Sequence, residues 1–279
     1  MKKLKMRILT MVLTICMVIG IAPITVFASD AMAKANAAFP GVHFDRAQDI
    51  TGWSSSASCE WISSSTTNYY TGSHTEQYIY VGGKDTVANL YFDNFGIDLS
   101  NYAYFDKTYS PLEIADGATV NIYVKGFASF WGGSYCAGIH KASTEGTLNI
   151  YVQDGSRGLF AVGRTGAAGI GGNCLNPYTS FWNSKYPGAD ASNINICAKK
   201  GWTGKLQSSS HSPDASVNFL GSGSGGTQGN INLNVEFPIL AKPNNYETDC
   251  TAADGKSLNG RFGVIPLGRI THTWEMKYE

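Results

Sequence analysis

Charge is scarce in this chain. Only 15% of its 279 residues are Asp, Glu, Lys or Arg, against roughly 25% in an average soluble domain. No cluster of Lys and Arg follows the first seven residues, which argues against a nucleic-acid partner, because phosphate neutralisation needs such clusters. After residue 28 the balance is mildly acidic, with 17 basic against 21 acidic residues. No apolar run of membrane-spanning length occurs after the N-terminus, and no amphipathic helix is legible beyond residue 40. Cys-x-x-Cys spacing is absent, so a zinc site has little support, and no metal or cofactor is expected. Nucleophile-elbow, His-Glu-x-x-His and Walker sequences are absent too. Disorder of the whole chain is excluded by its 43% hydrophobic and 12% aromatic content.

The N-terminus carries Lys2, Lys3, Lys5 and Arg7, then an apolar run from Ile8 to about Ala22, then Val26-Phe27-Ala28 before Ser29. A charged segment, a short apolar segment and a small-residue cleavage site make residues 1–28 a signal peptide. The apolar run is short for a membrane anchor, and Pro23 breaks it. The expectation is a secreted protein, extracellular or held at the cell surface, with no membrane span after processing. Five cysteines then remain: Cys59, Cys136, Cys174, Cys197 and Cys250. Their odd number leaves at least one outside any internal pairing. The pairing is open: a Cys136–Cys174 disulfide is one possibility, and buried thiols are another.

Gly, Ser, Asn and Asp separate short alternating runs, such as Thr75–Val81 and Val87–Phe92, which read as strands. The strongest signal is an internal repeat. Thr-x-Asn-Ile-Tyr-Val occurs at Thr119 and again at Thr147, an offset of 28 residues. Looser copies are Ile194-Asn195-Ile196, Val217-Asn218-Phe219 and Ile231-Asn232-Leu233. Strand neighbours face opposite sides, so the apolar pairs point to one interior and the asparagines outward. Stacked asparagines can hydrogen-bond along such an array, a stabilising use preferred here to ligand binding. A short strand repeated at this period marks a solenoid, whose units bury their apolar faces only by stacking. The expected fold is all-β: a single-stranded right-handed β-solenoid with N- and C-terminal caps. A β-sandwich is the alternative. The domains expected are an N-terminal segment and cap over 29–84, the repeat array over 85–235, and a C-terminal cap over 236–279. A short helical stretch over Ala31–Ala38, stopped by Pro40, is also legible.

A second element recurs: Cys136-Ala137-Gly138-Ile139 and Ala167-Ala168-Gly169-Ile170-Gly171-Gly172. Its small residues suit a tight corner, where Gly takes unusual φ values. With the strand repeat, this order resembles the Gly-rich β-helical segments of secreted and surface proteins of Gram-positive bacteria, labelled carbohydrate-binding-domain-containing or right-handed β-helix proteins. The resemblance covers residues 85–175 well and 190–235 weakly. It implies a β-solenoid, an extracellular role, and no defined reaction.

Two aromatic insertions interrupt the repeat, Phe127–Tyr135 and Asn176–Tyr186, and both contain Ser-Phe-Trp. If they emerge from comparable corners, they flank one groove. Aromatic faces pack on the C–H faces of sugars, and polar rims take the hydroxyls. The candidate binding residues are therefore Trp131, Tyr135, Tyr178, Trp182 and Trp202, with Arg157 and Arg164 as polar partners, and the expected ligand is a polysaccharide or glycoconjugate. Closure of the fold by the same aromatics, leaving a surface module without ligand, is the competing reading. A β-helical polysaccharide lyase or glycoside hydrolase is the catalytic alternative. It would require Lys141, Arg157 or Arg164 to converge with Asp154, or paired acids among Asp116, Glu145 and Asp154. Asp116-Gly117 and Asp154-Gly155 also read as ordinary turns, and His140 is expected at the surface.

Overall fold

The computed structural model describes residues 30–53, 59–100, 109–115, 117–141, 145–153, 156–174, 188–197, 205–211, 217, 219–227, 229–234 and 239–243. Among the described residues the protein is all-β, apart from a helix over 30–38 (α1) and one 3-10 turn over Ile50–Gly52. Every described strand pairing is parallel, unlike the antiparallel strands of a sandwich.

The described strands fall into a 10-stranded and a 6-stranded sheet, and the chain visits them alternately. After β1 (Arg46–Asp49) come β2 (Cys59–Ile62) on the smaller sheet and β3 (Thr66–His74) on the larger one. The same order recurs with β4 (Tyr78–Val81) and β5 (Val87–Asp98), and with β6 (Leu112–Ile114) and β7 (Thr119–Trp131). In later passages the long strand is divided in two. β8 (Ile139–Lys141) precedes β9 (Thr147–Val152) and β10 (Gly158–Arg164). β11 (Ile170–Gly171) precedes β12 (Ile194–Cys197) and β13 (Leu206–His211). β14 (Leu220–Gly221) precedes β15 (Ile231–Asn234) and β16 (Ile239–Pro243).

The division explains the shape of the larger sheet. The first half of β7 pairs with β9, and its second half with β10. The sheet therefore has two arms meeting at a corner. Each long strand turns there by a local irregularity: the β5–β7 register shifts between Asp93 and Phe95, Asn94 has φ 49°, and Gly126 has φ 72°. The positive φ requires Gly126, and a Cβ there would also press on Asp93 Oδ1 at 2.7 Å.

The two hexapeptides are direct neighbours. Thr119 stands opposite Thr147 and Val124 opposite Val152, with every residue between in register. Three inward rows follow from that register: Ala88, Val120, Leu148, Ile194 and Ile231; Leu90, Ile122, Ile150 and Ile196; Phe92, Val124 and Val152. The smaller sheet adds Ile79, Leu112, Ile139, Ile170 and Leu220. All belong to one buried cluster. Full burial of each such side chain contributes roughly 1.5–3 kcal/mol, which gives this interior its register specificity.

Outside lie two ladders. Asn232, Asn195, Asn149, Asn121 and Asn89 each donate from Nδ2 to the oxygen of the preceding rung. The distances are 2.7–2.8 Å between asparagines, and 3.2 Å from Asn89 to Thr67 Oγ1. Beside them Tyr91, Tyr123 and Tyr151 stack face to face, with centroids 4.4 and 4.8 Å apart. Helix α1 with Phe39 and Phe44 packs across the tyrosine row, burying Ala31, Ala35 and Ala38 against Tyr69, with Tyr91 and Tyr123 alongside.

Four sequence expectations change. Thr75–Gln77 is not strand: it bends between β3 and β4. Val217 and Phe219 do not extend the asparagine array, since β12 pairs directly with β15, and Phe219 instead leads into β14 of the smaller sheet. The segment 29–84 is more than a cap, because β1–β4 pair within the same two sheets as the repeat. Within the Ala-Gly-Ile elements Gly138 and Gly169 serve close approach rather than φ: a Cβ on Gly138 would sit 2.5 Å from Phe130 O, and one on Gly169 2.5 Å from Ser209 N, whereas Gly171, with φ 133°, takes the unusual conformation expected of the corner. Positive φ also occurs earlier in each corner, at Tyr135 in the first and at Thr165 and Gly166 in the second. Residues 244–279, most of the expected C-terminal cap, lie outside the described residues.

Candidate functional site

Beyond Gly126, strand β7 continues as Phe127-Ala128-Ser129-Phe130-Trp131. Ala128 and Phe130 are fully buried, while Phe127, Ser129 and Trp131 face outward. Phe127–Trp131 of the first aromatic insertion is therefore strand, not a loop: Ala128 and Phe130 continue the inward parity of Val120, Ile122 and Val124 past the corner, and Phe130 enters the core. On the next rung, β10 alternates likewise. Leu159 and Ala161 point in, and Phe160 lies outward opposite Ser129. Trp131, opposite Asp98 and Val162, leans diagonally on Phe160 with ring centroids 5.5 Å apart and planes at 46°. Both rings are partly exposed.

The polar margin lies at the corner. The Arg157 guanidinium stands 5.9 Å from the centroid of Phe127, which is 37% exposed. Arg157 Nη2 donates to Asn94 Oδ1 at 2.6 Å, and Asn94 Nδ2 donates to Asp93 Oδ1 at 3.0 Å. Asp93 also accepts from the Tyr69 hydroxyl. Burial raises the Asp93 carboxyl above its ordinary range, against the opposing pull of Tyr69, Lys125 and Arg157. This chain of contacts presents an ordered, charged fork beside an aromatic strip on one arm of the larger sheet.

Trp131 and Arg157 thus share a face, at opposite ends of the strip. Arg164 closes β10 and donates to the Ser100 carbonyl. Tyr135 sits in the corner after Trp131, partly exposed, where its carbonyl accepts from Cys174 N at 2.9 Å. Tyr178, Trp182 and Trp202 lie outside the described residues. Phe160 and Asn94 were not among the expected site residues. The Leu159-Phe160-Ala161 alternation carries a signal for the first, whereas Asn94 depends on the corner and has none in the sequence.

The smaller sheet holds a different polar group. His140 Nδ1 and Glu113 Oε2 lie 2.5 Å apart on adjacent strands, each side chain 5% exposed. His140 Nε2 meets Gly188 O at 3.1 Å, and Ser110 N donates to Glu113 Oε1 at 2.9 Å. His140 is therefore buried rather than at the surface. Gly172 and Gly226 let the chain at Ala189 approach directly, since a Cβ on either would collide with Ala189 O, and Gly223 N donates to Ala189 O at 2.8 Å. Burial works against protonation of His140, but the Glu113 charge and hydrogen bond and the Gly188 carbonyl outweigh it and raise its pKa. Trp61 lies on this outer row, 59% exposed and tilted over Tyr80.

The residues expected for a lyase do not converge. Lys141 shares a row with Ile114 and Val81, points inward with 0% exposure, and donates to Glu145 O at 2.9 Å. Arg157 and Arg164 flank opposite ends of β10, roughly 20 Å apart at strand spacing. Glu145 is exposed in the turn before β9, and Asp116 and Asp154 lie outside the described residues. Among the described residues no three His, Cys, Asp or Glu group as a metal would need, and no helix is long and apolar enough to cross a membrane. No family model matches the chain, and no curated protein or solved structure matches it.

Proposed function

We propose that the chain is a secreted right-handed β-solenoid that holds a polysaccharide or glycoconjugate on one outer face, in a binding or adhesive role without chemistry. Six passages through the smaller sheet, each followed by the larger one in parallel register, support the coil. Its hand follows from the right-handed preference of parallel crossovers. Secretion rests on the charged and apolar leader, and the Gram-positive surface proteins that the repeat resembles point the same way.

The observation that carries the ligand class is the pairing of Trp131 with Phe160 on neighbouring rungs, with Phe127 and Arg157 at the corner. Rungs are spaced about 4.8 Å apart, comparable to a pyranose residue, so aromatic rings on successive rungs suit successive sugars of a strand laid across them. The Arg157 fork, fixed by Asn94, offers hydrogen bonds to hydroxyl or carboxylate groups at the margin.

The test is retention on a panel of insoluble and soluble polysaccharides. A central aromatic anchor contributes about 2 kcal/mol, close to thirtyfold in affinity. Wild-type protein should bind at least one glycan, and a Trp131→Ala, Phe160→Ala double variant with unchanged far-UV circular dichroism should lose at least that factor. Undiminished binding by the folded double variant, or no binding across the panel, defeats the reading.

A further inference from the structure

The corner between β7 and β8 brings together two cysteines that are 38 positions apart in sequence. Cys174 N donates to Tyr135 O at 2.9 Å, and Ala137 N donates to Asn173 Oδ1 at 2.8 Å. Residues 173–174 are therefore stitched to the chain on both sides of Cys136. A hydrogen bond from the amide of one cysteine to the carbonyl just before the other limits their Cα separation to about 7 Å by standard backbone dimensions. Disulfides normally span Cα distances up to about that limit. Cys136 is 3% exposed and its Sγ donates to Ser134 O, while Cys174 is partly exposed. Cys197 lies on β12, opposite Tyr151 of the larger sheet, and Cys59 lies on β2, opposite Tyr78. None of these four thiols is in a disulfide in this structure.

We propose that Cys136 and Cys174 are a disulfide-forming pair, closed by a small disulfide oxidant. The link fixes the corner beside Tyr135 to the point where the chain leaves for the second aromatic insertion. The proposal stands whether or not a glycan binds.

The exchange balances in two steps. The more accessible Cys174 thiol loses its proton and attacks one sulfur of oxidised glutathione, expelling a glutathione thiolate. Cys136 then loses its proton and attacks the Cys174 sulfur of that mixed disulfide, expelling the second glutathione. Two protein thiols give up two electrons and two protons, and one oxidised glutathione becomes two thiols. Burial, then Glu113 and Cys174, hold the Cys136 thiol well above its ordinary pKa. The second step is therefore the slow one and accelerates as pH rises.

The experiment takes the full chain, purified with reduced thiols, and exposes it to oxidised glutathione at pH 6.5 and 8.5. Remaining thiols are alkylated and the digest is mapped by mass spectrometry. A Cys136–Cys174 linked peptide, two hydrogens lighter than its parts and forming severalfold faster at pH 8.5, is the expected result. Cys136→Ser should stop at glutathione-bound Cys174. A wild-type mixed disulfide at Cys174 that never resolves, complete alkylation of both thiols, or preferential Cys59–Cys136 linkage would overturn the pairing. The wild-type map decides even if Cys136→Ser fails to fold.

Discussion

Asn149 donates from Nδ2 to Oδ1 of Asn121 on the adjacent rung at 2.8 Å, and this bond is one link in a run from Asn232 to Thr67. Each amide gives one hydrogen and accepts another, so the identity of the group matters more than its polarity. Asn149→Ala should lower stability by about 1–2 kcal/mol, roughly 3–6 °C in melting temperature for a chain of this size. Asn149→Asp should be the worse substitution, because a carboxylate still accepts from Asn195 but cannot donate to Asn121. Thermal melts of the two variants check the ranking.

The His140–Glu113 pair makes stability depend on pH. The folded state holds the His140 proton more tightly than the ordinary value of 6.5. The stabilisation is therefore complete below that value and is lost as pH rises through the higher folded pKa. His140→Ala should cost about 3–5 kcal/mol where the pair is charged, since Glu113 remains buried and unpartnered by imidazole. Melts at pH 5.5, 7 and 9 should show the gap between wild type and variant narrowing toward pH 9. A gap that widens with pH would mean a neutral imidazole in the folded state.

Gly138→Ala should be among the most damaging single changes. Its added methyl would meet Phe130 O at 2.5 Å and Val162 N at 2.7 Å, both backbone atoms in sheet strands. A loss of about 3 kcal/mol or more is expected. Gly52→Ala, where nothing lies within 4 Å, should be nearly silent in the same chemical denaturation series.

Phe39 holds α1 against the tyrosine row, with its ring 4.8 Å from Tyr91 and 6.2 Å from Tyr69. Phe39→Ala removes about 3–5 kcal/mol of local packing. Tryptic cleavage after Lys34 should accelerate by at least an order of magnitude, with the sheets left intact by circular dichroism. Unchanged cleavage would show that α1 is held mainly by its alanines.

The repeat was legible because two forces select the same residues: inward Val, Leu and Ile for burial, outward Asn for mutual hydrogen bonding. Val87-Ala88-Asn89-Leu90-Tyr91-Phe92 is a further copy, recognisable from Asn89 and Tyr91 once register is known. Thr67 fills the asparagine place and Tyr69 the tyrosine place one rung earlier. Val217-Asn218-Phe219 has the same local pattern in sequence, yet Phe219 leads into another sheet, because the Leu220-Gly221 that follows pairs with Ile170-Gly171. Three residues do not encode which sheet they join. Trp131 and Arg157 stand out in the sequence by residue type alone. Their partnerships were hidden, because Phe160 meets Trp131 across 29 residues of chain and Asn94 meets Arg157 across 63. The burial of His140 and Lys141 was equally unreadable, since it depends on the backbone at Gly188 and on the side of a three-residue strand that faces in.

The asparagine row also has a direction: every amide hydrogen is given toward the N-terminal end, and every amide oxygen is turned toward the C-terminal end. A duplicated passage inserted whole would find a donor waiting on one side and an acceptor on the other. The asparagine row can therefore gain or lose a whole strand-bearing passage at either side of a rung. The connecting segments can vary freely, as the offsets of 28, 32, 37 and 46 residues between successive asparagines show, whereas one residue gained or lost inside a strand would turn its asparagine toward the hydrocarbon interior.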